Sequence, residues 1–412
     1  MKIPAILFLL FSLGYNAQAQ QTITGRVVNA ITGAPVQGSS VFISNSSKGT
    51  STDSQGQFEL YNVPAGNHDL VISCVGYETN VYAFTQNQLP LRLKVEMTLK
   101  VKELQNVIIE ESVEEGWDKW GKTFTDYFVG NTENALQCKI KNGNDIKFRY
   151  YKKSNRLIAY SEKPVVIENK ALGYNIRYQL EDFDINFKEQ SFLFLGYPLF
   201  EDMNGSRKSL RPKWKNNREV AYNGSIFHFM KCIYDNTLLP NGFEVRRAVR
   251  IPNAEKQRVK SIQAATFKTQ RIAGASITIG NPFEGLSPDT IAYYKEVLKQ
   301  NDYKEIIGKS LLTADSLVFK KEGDYKAITF TDFLYIIYKN ELEEEGYSRK
   351  AYPPRKPGMQ QTYVNLSGEM YLVIDKTGNY FNPRFFYSSG YWGWSEKMAN
   401  MLPVDYNMKY YE

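Results

Sequence analysis

Histidine is nearly missing from this chain. His68 and His228 are the two in 412 residues, so a metal centre built from several imidazoles has no ligands to draw on. Cysteine is scarce as well: Cys74, Cys138 and Cys232 are too few for a disulfide scaffold. No Gly-x-Gly-x-x-Gly dinucleotide fingerprint and no Gly-x-Ser-x-Gly nucleophile elbow is spelled in it. Beyond the first residues, no apolar run reaches the roughly 20 residues of a transmembrane helix. Internal repeats and low-complexity tracts are missing too. These gaps lead to an expectation of no cofactor, no metal and no membrane span.

What is present describes a folded, multidomain chain. The residues are 42% hydrophobic and 23% charged, which excludes disorder over most of the length. The net charge of +7 is modest for the size, so the basic residues read mainly as solvated faces. The opening residues read as a signal peptide over 1–19. Lys2 is followed by the apolar run Ile3–Leu13, then by Ala17-Gln18-Ala19 as a small-x-small cleavage site. No cysteine sits near that site for a lipid anchor. Export makes nucleic acid an improbable partner and exposes the cysteines to oxidising conditions. Cys74 ends an apolar strand and reads as a buried small hydrophobe. A bridge between Cys138 and Cys232 depends on a Cα separation that the fold must supply.

Residues 20–99 read as all-β. Short alternating runs around Ile23–Val28, Val41–Ile43, Phe58–Leu60, Leu70–Cys74 and Leu91–Met97 are punctuated by Gly, Pro, Asn and Asp turns, the pattern of a β-sandwich. The same residues carry a resemblance. Gly25-Arg26-Val27-Val28, Thr32-Gly33-Ala34-Pro35-Val36, Gly49-Thr50-Ser51-Thr52-Asp53, Gly56-Gln57-Phe58, Val63-Pro64-Ala65-Gly66 and Val75-Gly76-Tyr77 follow one another in the order and spacing of the carboxypeptidase-regulatory-like domain. The segment resembles that family over about residues 21–99. The resemblance implies a transthyretin-like, seven-stranded Greek-key sandwich of the kind common in exported proteins of Bacteroidetes-type bacteria. It implies no peptidase. In metallocarboxypeptidases this sandwich is an accessory to a separate zinc domain with a His-x-x-Glu pair. Here the first Glu after His68 is Glu78, and the acid nearest His228 is Asp235. His68, beside the Pro64-Ala65-Gly66 turn, reads as a solvated turn residue.

Residues 100–116 are rich in Lys and Glu and read as a charged linker, with Val107–Ile109 as a candidate last strand of the sandwich. Residues 117–412 read as a β-rich α+β domain. Trp117, Trp120, Phe124 and Phe128 predict a helix with an aromatic core stripe. Alternating runs between Ile146 and Gly196 predict antiparallel strands. Ile226, Phe229, Met230 and Ile233 predict an amphipathic helix capped by Asn223 or Ser225. Further strands are predicted at Phe243–Arg250, Leu317–Phe319, Ala327–Phe330, Phe333–Tyr338 and Tyr371–Asp375. A helix is predicted from Pro288 and another from Ser395 to Leu402.

Chemistry is thinly signposted in this larger region. Ser225 and His228 share a helix face, but with no orienting acid they read as a cap and a half-buried helix residue. The run Glu341–Glu345 reads as a solvated segment. The most suggestive feature is aromatic: Tyr387, Tyr391, Trp392 and Trp394 gather beside glycines and near Arg384. Flat rings there are suited to stacking on sugars or to a protein interface. Tyr391, Trp392, Trp394 and Arg384 are therefore the candidate ligand-binding residues, and no catalytic residue is nominated. The expected function is that of an exported, non-catalytic binding or interaction protein of the cell envelope. It would sit in the periplasm, at the periplasmic face of the outer membrane or at the cell surface, with an envelope protein or glycan as partner and the sandwich as docking or spacer module. Carbohydrate binding through the C-terminal aromatics is the alternative. A hydrolase whose two facing carboxylates are not located by sequence is the third reading.

Overall fold

The computed structural model describes residues 21–100, 110–203, 211–266, 268–272, 275–279, 283, 285–351, 353–368 and 371–406. The expected signal peptide and most of the expected linker lie outside them. The chain is mostly β-sheet and divides into two compact units: residues 1–221 with 397–412, and Tyr222–Glu396.

The first unit opens with seven strands: β1 (Ile23–Asn29), β2 (Ser40–Ile43), β3 (Gly49–Ser51), β4 (Gln57–Leu60), β5 (Asn67–Ser73), β6 (Asn80–Thr85) and β7 (Leu91–Met97). They form two sheets, ordered β4-β1-β7 and β3-β2-β5-β6, with β1 and β7 parallel. Alternation along the strands sends Ile23, Val27, Val41, Ile43, Leu70, Ile72 and Met97 into one fully buried core. His68 belongs to this interior and is not a solvated turn residue. Strand β5 starts at Asn67, so His68 takes an inward position, 3% exposed. Its Nε2 lies 3.1 Å from the Pro64 carbonyl and its ring 5.7 Å from that of Phe84.

Seven more strands follow: β8 (Ser112–Glu115), β9 (Cys138–Ile140), β10 (Ile146–Tyr151), β11 (Arg156–Ser161), β12 (Val165–Asn169), β13 (Tyr174–Asn186) and β14 (Ser191–Asp202). They make one sheet in which both β11 and β12 pair with the long β13, as does β14. The two short strands that alternation marks at Tyr174–Leu180 and Phe183–Phe187 are this one strand, broken in register between Leu180 and Asp182. An extra residue in one strand inverts the inward and outward pattern, which is why the sequence reads as two. The end of the charged connector is also strand, because β8 pairs with β10.

Helix α1 (Trp117–Phe128) forms where the aromatic spacing predicts it. Phe124 and Phe128 are fully buried, and Phe124 meets Phe148 and Phe183 at 5.8 and 4.5 Å between ring centres. No helix forms over Ser395–Leu402. The N–H groups of Met398 and Ala399 instead donate to the carbonyls of Phe128 and Val129 at the end of α1, at 3.1 Å each. Four unpaired carbonyls end any helix, and here a passing turn, closed by Asn400 N–H on the Lys397 carbonyl at 2.9 Å, supplies donors at that end. Helix α2 (Arg211–Tyr222) was not foreseen; it buries Trp214 and Arg218, and Arg218 donates to the Leu172 carbonyl at 2.7 Å.

The sandwich is bonded into this unit. Phe42 and Val71, on the outer side of its larger sheet, bury against Leu199 of β14. The turn after β2 adds backbone bonds from Asn45 N–H to the Pro198 carbonyl and from Phe200 N–H to the Ser46 carbonyl, at 2.8 and 2.9 Å. Asp405 accepts from Ser47 N–H at 2.9 Å and from its hydroxyl at 2.5 Å.

The second unit is organised around helix α3 (Ile226–Asp235), which forms as predicted, with Ser225 accepting from His228 N–H at 3.0 Å as its N-cap. Strand β15 (Phe243–Pro252) follows. Then come α4 (Ala254–Thr266), the hairpin β16 (Lys268–Ile272) and β17 (Ala275–Ile279), and α5 (Pro288–Lys299) with Ser287 as N-cap. The chain continues through β18 (Tyr303–Ile307), α6 (Ala314–Leu317), β19 (Val318–Glu322), β20 (Tyr325–Ile328), β21 (Phe333–Leu342), α7 (Glu345–Ser348), β22 (Met359–Leu366), β23 (Leu372–Asp375), β24 (Tyr380–Phe381), β25 (Phe386–Gly390) and α8 (Tyr391–Ser395). One sheet has the order β18-β15-β21-β22-β25 and another β19-β20-β23-β24. Ile226, Phe229, Met230 and Ile233 of α3 join Val245, Ile336 and Val364 of the first sheet and Ile328, Leu372 and Ile374 of the second in one core. Phe319, read as part of a buried strand, is 55% exposed, because β19 is an edge strand.

Candidate functional site

The sequence places four candidate residues within eleven positions, and the structure separates them. Arg384 lies in the short turn Pro383–Phe385 before β25, whereas Tyr391 begins α8 after it. At about 3.3 Å per residue the strand puts them roughly 20 Å apart along its axis. Gly390 makes the turn from strand to helix. Its φ of +80° is open to glycine, and a Cβ there would lie 2.6 Å from the Gln361 carbonyl.

Helical geometry then points the aromatics in different directions. Trp392 goes into the core and is 2% exposed. Its indole N–H donates to the Gly224 carbonyl at 2.7 Å and its ring stands edge-on to Phe229 at 5.3 Å. Both faces are enclosed, so Trp392 offers no surface to a ligand. Tyr391 and Trp394 form a second group, 5.7 Å apart between ring centres.

A residue that sequence reasoning missed completes that group. Tyr347 of α7 packs edge-on against Tyr391 at 5.3 Å and lies 5.6 Å from Trp394. It is carried by the long β21–β22 connection, which starts at Glu343. Glu343 is not solvated, as the acidic run suggested, but 4% exposed. Arg355 grips its carboxylate with both terminal guanidinium nitrogens, one at 2.7 Å. Glu343 N–H donates to the Gly358 carbonyl at 2.8 Å, and Gly358 N–H donates back to the Glu343 side chain at 3.1 Å. A buried carboxylate is tolerated because the paired charge and these hydrogen bonds replace its water. The Arg355 guanidinium also sits 5.9 Å from the Tyr347 ring centre.

Two electrical features mark the group. Burial, reinforced by the Glu344 carboxylate, raises the Tyr391 phenol well above its ordinary range, so its hydroxyl stays protonated. That oxygen accepts from Glu344 N–H at 3.3 Å. The indole N–H of Trp394 is buried and has no hydrogen-bond partner among the described residues. Buried donors are nearly always paired, so this one is a point of unmet demand between two tyrosine rings.

Other candidates resolve as structure. His228 is 7% exposed, with Tyr222 stacked on it at 4.8 Å and Phe243 edge-on at 5.1 Å. Its Nδ1 accepts from Gly224 N–H at 3.2 Å, and burial pushes its pKa down to about 4. The Ser225 hydroxyl is committed to the Tyr222 carbonyl at 2.6 Å. One phosphate-loop spelling also escaped the sequence reading: Gly116-Trp117-Asp118-Lys119-Trp120-Gly121-Lys122-Thr123. It is taken up by α1, where Gly116 is the N-cap, a Cβ on Gly121 would meet the Trp117 ring and Lys122 pairs with Asp126 at 2.5 Å. A phosphate loop needs its N–H groups free to face the ligand, and a helix commits them. All three cysteines are free thiols. Among the described residues, no group of three or more His, Cys, Asp or Glu side chains is arranged to hold a metal ion, and no helix is long and apolar enough to cross a membrane.

Comparison with known proteins bears on the N-terminal module. Residues 23–109 match the CarboxypepD_reg-like domain family. The seven strands and their two sheets lie inside that match. No curated protein matches the chain. Among solved structures, a cohesin–X-dockerin complex from Acetivibrio cellulolyticus is similar at 28% identity over 19% of this chain and 51% of that one, with a TM-score of 0.15. A putative membrane-associated protein of unknown function from Bacteroides fragilis is similar at 9% identity over 85% of this chain and 92% of that one, with a TM-score of 0.16. This chain spans about half the length of the first of these. At such TM-scores neither similarity carries an argument.

Proposed function

We propose that this chain is an exported binding protein of the cell envelope, acting without catalysis on the periplasmic face of the outer membrane or at the cell surface. Its carboxypeptidase-regulatory-like sandwich, of transthyretin-like Greek-key type, serves in this reading as a fixed mount for the rest of the first unit. The Leu199 contact and the Ser47–Asp405 bonds support a mount over a swinging spacer. The ligand is a glycan and the binding residues are Tyr347, Tyr391 and Trp394. The observation that carries this is the buried indole N–H of Trp394, without a hydrogen-bond partner among the described residues and flanked by two tyrosine rings. Sugars combine apolar ring faces, which stack on aromatics, with hydroxyl oxygens that accept from an N–H. A protein partner would supply carbonyls instead. A glycan array with the full chain tests the reading. Binding to one glycan class that Trp394→Phe abolishes supports it. Capture of an envelope protein, with no glycan bound, replaces it with the protein-partner reading.

A further inference from the structure

We infer that the joint between the sandwich and the β13–β14 hairpin is an acid-tightened contact, firm when Asp69 and Glu181 carry protons and looser when both are ionised. This property belongs to the mount and is independent of ligand binding. The joint has two chemically different halves. One is apolar: Phe42 and Val71 bury against Leu199. The other is polar and lies one step along each strand. Asp69 stands two residues before Val71 on β5, and Tyr197 two before Leu199 on β14, so each pair shares a face. Tyr197 packs on the apolar contact and lies in the field of Asp69 across the joint.

Glu181 reaches the same place from β13. Leu180 faces Gly196 and Asp182 faces Leu195, which leaves Glu181 as the extra residue of the bulge, with no register partner on β14. A bulge re-aims a side chain, and this one is aimed at the sandwich, where its carboxylate accepts from the Thr79 side chain. Tyr197 therefore meets a carboxylate from each side of the joint.

Negative charge at this place is poorly compensated. Glu78 and Asp182 add like charge to Glu181, against the Thr79 hydroxyl and Lys100. For Asp69 the opposing group is His68, on the inner side of β5. Asp69 is half-buried, and Glu181 keeps part of its side chain in water. Loss of water is the largest influence on each and holds the two carboxyls above their ordinary values of 3.8 and 4.5. Burial and the two carboxylates also raise the Tyr197 phenol, which stays protonated. Opening the joint returns Asp69 and Glu181 to water and to ordinary values, so the closed joint binds protons more tightly than the open one. The stabilisation they give is full below pH 3.8 and is lost as pH rises through the raised values. At neutral pH the Leu199 contact and the backbone bonds of Asn45 and Phe200 still hold the module, and the joint opens more often.

Amide hydrogen exchange reads the joint directly. Protection at Asn45 and Phe200, whose N–H groups bridge the sandwich and β14, is measured on the full chain. The range is about pH 4 to about pH 7.5, with intrinsic exchange corrected at each step. The wild type is expected to lose protection at both amides roughly three- to tenfold across that range. Val27 N–H, bonded to the Gly56 carbonyl inside the sandwich, should keep its own. Asp69→Asn combined with Glu181→Gln preserves side-chain shape and removes the titration, so protection at the two amides should stay level. Asp405, which accepts from Ser47 at the same joint, is present in both proteins and drops out of the comparison. Level protection in the wild type overturns the inference. So does an equal loss in the wild type and the double variant, which would assign the effect to other groups. A loss shared by Val27 overturns it as well, because the whole sandwich would then be loosening.

Discussion

Trp392 and Trp394 are two positions apart and have opposite environments. Trp392 is enclosed by Phe229 and hydrogen-bonded to Gly224. Its replacement by Ala leaves a large cavity and is expected to cost about 3–5 kcal/mol, read by urea denaturation of the second unit. Trp394→Phe keeps a ring and removes a donor that has no partner among the described residues, so its cost should stay within about 1 kcal/mol. The same scale holds a pH effect at His228. Burial keeps His228 near a pKa of about 4 in the fold, against an ordinary 6.5. Between those values the unfolded chain takes up a proton that the folded unit refuses. Stability is therefore full above pH 6.5 and falls as pH drops towards 4, by at most about 3 kcal/mol. His228→Gln should flatten the slope of unfolding free energy against pH over that window. An equal slope in both proteins would assign the effect to other groups.

At the scale of elements, five of the seven strands of the sandwich were legible because apolar runs there end at Gly, Pro, Asn or Asp turns; β3 and β6 were not, because neither carries an alternating apolar pattern. Helices α1 and α3 were legible because their apolar residues recur at helical spacing. Helix α2 was missed because its buried face is built from Trp214 and Arg218, a charged residue that alternation counts as surface. Helix α4 was missed for a related reason: it lies in a strongly basic stretch and buries little beyond Val259. The docking of the sandwich was also hidden. Phe42, Val71 and Leu199 sit on faces that each strand alone would present to water, and burial on both sides shows only when two sheets meet. Leu199→Ala should destabilise the first unit by about 2–4 kcal/mol and accelerate amide exchange at Asn45 and Phe200, whose N–H groups bridge the sandwich and β14. Unchanged exchange at those two amides would mean that the backbone bonds, and not Leu199, hold the module in place.

At the scale of the whole molecule, the candidate site was half visible. Tyr391 and Trp394 stood out as an aromatic cluster beside glycines. Tyr347, Glu343 and Arg355 did not, because strand pairing between β21, β22 and β25 brings them there from more than thirty positions away. The acidic run at Glu341–Glu345 looked uniform, yet one of its members is buried by an arginine twelve residues downstream. The scarcity of histidine acquires a structural meaning at this scale. Each of the two imidazoles is packed against aromatic rings, His68 in the sandwich and His228 in the second unit.

The direct test of the binding account is a glycan array probed with the wild-type full chain and with Trp394→Phe at equal concentrations. The account predicts at least one glycan class bound by the wild type and bound about tenfold or more weakly by the variant, the loss expected when a ligand oxygen forfeits a buried donor. Binding that survives Trp394→Phe undiminished, or no glycan bound at all, would contradict it.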